Sequence, residues 1–286
     1  MVRLIEGLAE LASTYRVLYC DVWGVIHDGV RAFQAPCAAL IRWRREIGPV
    51  ALISNSPRPC REVARQLRDI GVPPRAWSAL VTSGDATRRL LAERAPGPAW
   101  RIGPDRDQPL YRGLGLRFAG LEQARFIACT GLNDDDTETP EEYREQLTRA
   151  SQRGLEMVCA NPDLVVQRGE RLIFCGGALA QLYQSLGGKV VMAGKPFAPV
   201  YDLASAAVEL ELGRGVRDEE VLAIGDGLAT DLAGARGRGL DALFIATGVH
   251  GSSALTAEGE VDARRVASML ARAGEPARFA MATLRW

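Results

Sequence analysis

Val17-Leu18-Tyr19-Cys20-Asp21-Val22-Trp23-Gly24-Val25 is the stretch that decides how this chain is read. Its first four residues form a short, apolar, β-prone run, the pattern of a parallel strand buried on both faces, and the run stops at a carboxylate and a glycine. In open α/β sheets, ligands bind just beyond the carboxyl ends of the strands. Asp21 is therefore expected at the lip of such a sheet, where a carboxylate serves as nucleophile or metal ligand.

Three downstream stretches strengthen that reading. Val50-Ala51-Leu52-Ile53 is a second apolar run, and it ends in Ser54-Asn55-Ser56. Lys189-Val190-Val191-Met192-Ala193 is a third, followed by Gly194-Lys195-Pro196. Val221-Leu222-Ala223-Ile224-Gly225-Asp226-Gly227-Leu228-Ala229-Thr230-Asp231 delivers two aspartates from one strand end, with glycines that permit close backbone approach. A carboxylate nucleophile, small hydroxyls, a lysine and paired aspartates are the parts a phosphoryl-transfer site needs. Each is common alone; four in this order are a strong signal. The duller readings are a surface position for Lys195 and a helix-start position for Asp231, favoured there by the dipole. Ser54 and Ser56 compete as the phosphate-binding hydroxyl, with Ser54, first past the strand, preferred.

At these residues the chain resembles the haloacid dehalogenase-like hydrolase superfamily, and within it the class IIA phosphatases, the p-nitrophenyl phosphatase-like and sugar or nucleotide monophosphatase-like group. Asn161-Pro162-Asp163 and Gly176-Gly177-Ala178-Leu179 extend the resemblance over nearly the whole chain. The resemblance implies an α/β fold: a doubly wound, Rossmann-like parallel-sheet core with an inserted α/β cap domain. The expected division is core at residues 1–83, cap at 84–186 and core again at 187–286. It further implies Asp21 and Lys195 as catalytic groups. Ser54, Asn55, Ser56 and Lys195 would bind substrate. Mg²⁺ would be held by the carboxylates of Asp21 and Asp226 and by the backbone carbonyl of Trp23, with Asp231 as an outer-shell ligand.

Trp23 is also a departure. The family's first motif carries a second aspartate at that position, which protonates the leaving oxygen and then activates water. An indole keeps the backbone carbonyl for the metal and loses the proton relay, help typically worth about 10²–10⁴-fold. The expected activity is thus a slow phosphatase acting on a small phosphomonoester, or one whose relay has moved to His27 or Asp28. The main alternative is a catalytically weak or inactive phosphate-metabolite sensor. C–P or C–halogen cleavage is disfavoured, the first by the scarcity of lysines and the second by the paired-aspartate loop.

Composition narrows the rest. Acidic and basic side chains balance at 35 each among 286 residues, so no net field points to nucleic acid or an anionic membrane. No apolar stretch approaches ~18 residues, and the amino terminus lacks a signal-peptide profile, so a cytoplasmic enzyme is expected. The chain leaves room for a homodimer without specifying one. Cys20, Cys37, Cys60, Cys129, Cys159 and Cys175 are irregularly spaced with no CxxC pair, which disfavours disulfides and zinc. The acidic run Asn133-Asp134-Asp135-Asp136-Thr137-Glu138 lacks the glycine and distal glutamate of a calcium loop and is expected to be solvated.

Strand and helix signals alternate along the chain. Helices are expected over 35–46, 62–70, 85–94, 199–212, 231–237 and 262–273. Another should start at the Thr139 cap with Pro140 in its first turn. Further strands are expected at 100–102, 125–129, 156–159 and 241–246. An amphipathic helix is expected over 1–8, and the tail at 277–284 reads as an edge strand.

Overall fold

The computed structural model describes residues 2–169 and 171–286. Seven strands form one parallel sheet: β1 (Arg3–Leu4), β2 (Val17–Asp21), β3 (Val50–Ser54), β4 (Ala79–Thr82), β11 (Val221–Gly225), β12 (Asp241–Ile245) and β13 (Phe279–Met281). Their order is β1-β13-β12-β11-β2-β3-β4, and every pair is parallel. From β2 the chain moves outward to β3 and β4 on one side, while β11 pairs with β2 on the other. The strand order reverses between β2 and β11, which is where a doubly wound sheet opens a crevice.

The apolar runs are buried on both faces because helices cover both. Side chains alternate along each strand. Leu18, Cys20, Leu52, Leu222 and Ile224 therefore pack into a layer with Leu40, Trp43, Val63 and Leu67 of helices Gln34–Glu46 and Cys60–Asp69. Val17, Tyr19, Ala51, Ile53 and Ala223 face the opposite layer, with Val200, Tyr201, Ala204 and Val208 of helix Ala198–Leu212.

Four further strands, β5 (Ala99–Ile102), β6 (Phe126–Cys129), β7 (Glu156–Cys159) and β10 (Lys189–Met192), form a second parallel sheet in the order β10-β7-β6-β5. Its two faces bury separate apolar groups, one around Ile127, Met157 and Leu147, the other around Phe126, Val158 and Leu110. An antiparallel hairpin, β8 (Val165–Arg168) with β9 (Arg171–Phe174), follows β7. The helical segment after Thr139 opens with the capping box Thr139/Glu142, first as a 3₁₀ turn and then as helix Arg144–Gln152.

Three expectations need correction. In place of a helix over residues 1–8 there is the short strand β1, whose flanking amides Arg3 N and Ile5 N bond to the carbonyls of Arg278 and Ala280, followed by a 3₁₀ turn at Leu8–Leu11. Met1 lies outside the described residues. A segment this short sustains an isolated helix poorly, and an open sheet edge satisfies its backbone groups directly. β1 covers β13, so the tail strand is interior rather than at the edge. Finally, β10 pairs with β7 in the smaller sheet. The chain therefore returns to the larger sheet after Met192, not near residues 187–188. All six cysteines are free, and five are buried.

Candidate active site

The crevice predicted by the strand order holds the carboxylates. Asp21 ends β2, Asp226 follows β11, and Asp231 lies in a wide helical turn at Leu228–Leu232. Their carboxylate oxygens lie within 4.8 Å of one another, and all three side chains are buried. Lys195, 3% exposed, reaches into this group from the segment after β10. Its ammonium bonds to Asp21 Oδ1 and, at 2.7 Å, to Asp231 Oδ1. The second oxygen of Asp231 accepts from Gly227 N at 3.0 Å, and Asp226 Oδ2 accepts from Val249 N at 2.7 Å. Gly24, at φ +85°, turns the chain after Asp21 so tightly that a Cβ there would stand 2.4 Å from Asp226 Oδ2.

One ammonium offsets only one of three crowded carboxylates. Burial, the Asp231 charge and the Asp226 charge push the Asp21 carboxyl well above its ordinary range, against the pull of Lys195. Burial and Asp231 raise Asp226 to about 7. For Lys195, burial works against the charge, but Asp21, Asp231 and Asp163 outweigh it and keep the ammonium protonated. A buried, oxygen-only set with surplus negative charge is the donor chemistry of a hard divalent cation. The residues fit such an ion.

Asn55 ties the site to its surroundings. Its Oδ1 accepts from Lys195 N at 2.8 Å, and its Nδ2 donates to Lys195 O at 3.3 Å and to Asp163 Oδ1 at 2.8 Å. Ser54 Oγ accepts from Ser56 N at 3.1 Å, and Ser56 Oγ accepts from Arg58 N at 3.3 Å. Ser54, Asn55 and Ser56 line the same cavity as the carboxylates and Lys195, a space of about 780 Å³ closed on its far side by residues of the smaller sheet and the hairpin.

Trp23 also lines the cavity. Its indole N–H donates to Gln167 O of β8 at 2.6 Å, and its ring stands edge-on to His27, 5.0 Å between centroids. Gly29 makes room for it, since a Cβ there would come within 2.4 Å of the indole. A bond from Gly169 N to Asp28 O, 3.4 Å, adds a second stitch between hairpin and loop. The two relay candidates are differently placed. His27 is 2% exposed, its Nδ1 accepts from Gly29 N at 2.8 Å, and burial lowers its pKa to about 4. Asp28 is occupied by the amides of Val30 and Arg31 at 2.9 and 2.8 Å. Neither is among the residues lining the cavity.

Sequence patterns did not point to the far wall. Arg58, Arg106, Asp107, Thr130, Asp135 and Arg168 line it, brought together from four separate segments. The acidic run proves to be partly an ion-pair hub rather than a freely solvated loop. Asp135 receives Arg106 and Arg168, and Asp136 receives Arg168 and Arg171.

A profile of haloacid dehalogenase-like hydrolases matches residues 18–117, and a HAD-hydrolase-like profile matches 192–273. A crystal structure of a haloacid dehalogenase-like family hydrolase from Brucella suis 1330 is 42% identical, with a TM-score of 0.88 over 98% of this chain and 100% of that one. The chain belongs to the haloacid dehalogenase-like hydrolase family. A 5'-nucleotidase of Bacillus subtilis is 25% identical over 240 residues, covering 83% of this chain and 89% of the relative. The p-nitrophenyl phosphatase of Archaeoglobus fulgidus, 21% identical, shares the haloacid dehalogenase-like fold at a TM-score of 0.69 over 94% of this chain and 97% of its own. Among the described residues no helix is long and apolar enough to cross a membrane.

Proposed function

We propose that the protein is a Mg²⁺-dependent phosphatase of small phosphomonoesters that works through a phospho-aspartate on Asp21. The smaller sheet and its hairpin would act as a cap over the larger sheet. One observation carries this reading: the Asp21 carboxylate bonds to the Lys195 ammonium inside a buried aspartate cluster on the wall of a substrate-sized cavity. Asp21, Asp226, Asp231 and the Trp23 carbonyl would hold the ion, which when bound offsets phosphate charge.

Asp21 attacks phosphorus in line, the bond to the leaving oxygen breaks, and the phosphoryl group passes to the carboxylate. Water then cleaves the acyl phosphate, releasing inorganic phosphate and restoring Asp21. Lys195 holds Asp21 in the attacking orientation and neutralises phosphate oxygens. Ser54, Ser56 and the Asn55 amide orient the phosphate, while Asn55 also fixes the Lys195 backbone. Trp23 offers no carboxylic acid to protonate the departing oxygen, and its N–H is engaged by Gln167. Leaving groups that depart unprotonated are therefore favoured, so aryl phosphates should outpace alkyl phosphates.

A phosphomonoester panel assayed with Mg²⁺ and with chelator, beside Asp21→Asn, tests the proposal. Phosphate release that needs both Mg²⁺ and Asp21 is the expected result. Tight metabolite binding by calorimetry with no release from any ester would replace the phosphatase with a sensor.

A further inference from the structure

The far wall of the cavity carries three arginines, and their charges are not equally spent. Arg106 directs two nitrogens at Asp135, and Arg168 donates to the same carboxylate at 2.9 Å. Arg58 differs. It sits four residues past Ser54, lines the cavity and is partly buried. Its one side-chain hydrogen bond among the described residues goes to the neutral Oε1 of Gln66. No carboxylate among the described residues lies within ion-pair reach of it. Glu62 is engaged by Arg61 and Arg65 at 3.6 and 2.8 Å. Asp107 is near enough to act through its field, but it is 3% exposed and its carboxyl is raised by burial.

A partly buried charge with no ion partner forfeits some of its hydration without compensation. Burial accordingly lowers the pKa of Arg58. A planar fork of donors with a single neutral acceptor, facing a cavity, has the geometry that takes a carboxylate or phosphate through two parallel hydrogen bonds. The phosphate to be transferred already has Lys195 and the Ser54–Ser56 loop. The fork is therefore available to the rest of the substrate.

We propose that Arg58 binds a second anionic group, a carboxylate or phosphate on the leaving-group side, so that the preferred substrates are phosphomonoesters carrying another negative charge. This deepens the phosphatase reading and rests on it for turnover, though not for binding.

Two matched pairs test it: glycerol 3-phosphate against 3-phosphoglycerate, and glucose 6-phosphate against glucose 1,6-bisphosphate. The first pair reports a carboxylate partner and the second a phosphate partner. In the wild type, kcat/KM should favour the anion-bearing member of at least one pair. Arg58→Met should erase that preference, costing the anion-bearing ester roughly 10- to 100-fold more than its neutral match. Arg58→Lys, which keeps the charge but not the fork, should lose part of the preference, and it stands in if the methionine variant does not fold. Equal losses on both members, or a preference that survives in both variants, would overturn the proposal. Calorimetric titration of the same esters separates the two levels. If the wild type hydrolyses none of them yet binds the anion-bearing member more tightly through Arg58, the subsite stands and the phosphatase reading falls. Binding without such a preference removes the subsite.

Discussion

Replacing Lys195 with methionine removes the ammonium that bonds to two of the three clustered, buried carboxylates, and the consequence for stability follows from the geometry. Lys195 is 3% exposed and bonds to both Asp21 and Asp231. Deleting one partner of a buried pair leaves uncompensated charge and typically costs about 3–5 kcal/mol. Here the Asp21 and Asp226 carboxyls already favour protonation through burial and neighbouring negative charge, and a bound proton relieves part of the strain. The lower end of that range, about 3 kcal/mol, is therefore the expected loss in chelator. Mg²⁺ would answer the same excess of negative charge, and a ligand at a hundredfold excess over its Kd contributes about 2.7 kcal/mol. Urea unfolding of wild type and Lys195→Met, each in chelator and in saturating Mg²⁺, is the assay. Mg²⁺ should stabilise the variant at least as much as the wild type, while phosphatase activity should fall by about 10³-fold or more through loss of electrostatic stabilisation. If the variant in chelator matched the wild type within about 1 kcal/mol, the cluster would not be coupled as described.

Two further substitutions probe the loop after β2. Trp23→Asp restores a carboxylic acid beside the nucleophile and should raise kcat on alkyl phosphates by about tenfold or more, with a smaller gain on 4-nitrophenyl phosphate; no gain on alkyl esters would mean that the missing acid is not what limits turnover. His27 has its pKa lowered to about 4 by burial, against 6.5 when unperturbed, so the unfolded chain binds its proton first as pH falls. Its contribution is intact above pH 6.5 and is lost as pH drops toward 4, amounting to about 2 kcal/mol between pH 7 and pH 5. Denaturation of His27→Gln across that interval should show a shallower acid loss than wild type, and identical slopes would remove histidine from the account.

The parts of this fold that could be read in advance are those where one short segment carries its own signal. β2, β3 and β11 are continuous apolar runs ending in polar residues, and the reversal between β2 and β11 brings Asp21, Asp226 and Asp231 together. Asp163 was picked out by its motif, and it accepts a bond from Asn55 in the loop after β3. What escaped were features whose cause lies elsewhere in the chain. β1 exists because β13 offers it an edge, and β10 joins the smaller sheet because β7 is exposed beside it. The hairpin β8–β9 is mixed in polarity, and Val165, Val166, Arg168, Ile173 and Phe174 of it all line the cavity. Arg58, Asp107 and Thr130 lie in three unrelated segments, and only the fold brings them to the lining of one cavity. Trp23 was visible as a substitution, but its bond to Gln167 could not be foreseen without the hairpin.

The claim at the centre is that Asp21 itself accepts the phosphoryl group. Acid quenching of the protein during turnover of 4-nitrophenyl phosphate with Mg²⁺, followed by peptide mass spectrometry, tests it directly. One phosphoryl group on the peptide containing Asp21, absent from Asp21→Asn and from the chelator control, is the predicted result. Sustained release of nitrophenol with that peptide unmodified at every quench time, or undiminished turnover by Asp21→Asn, would contradict it.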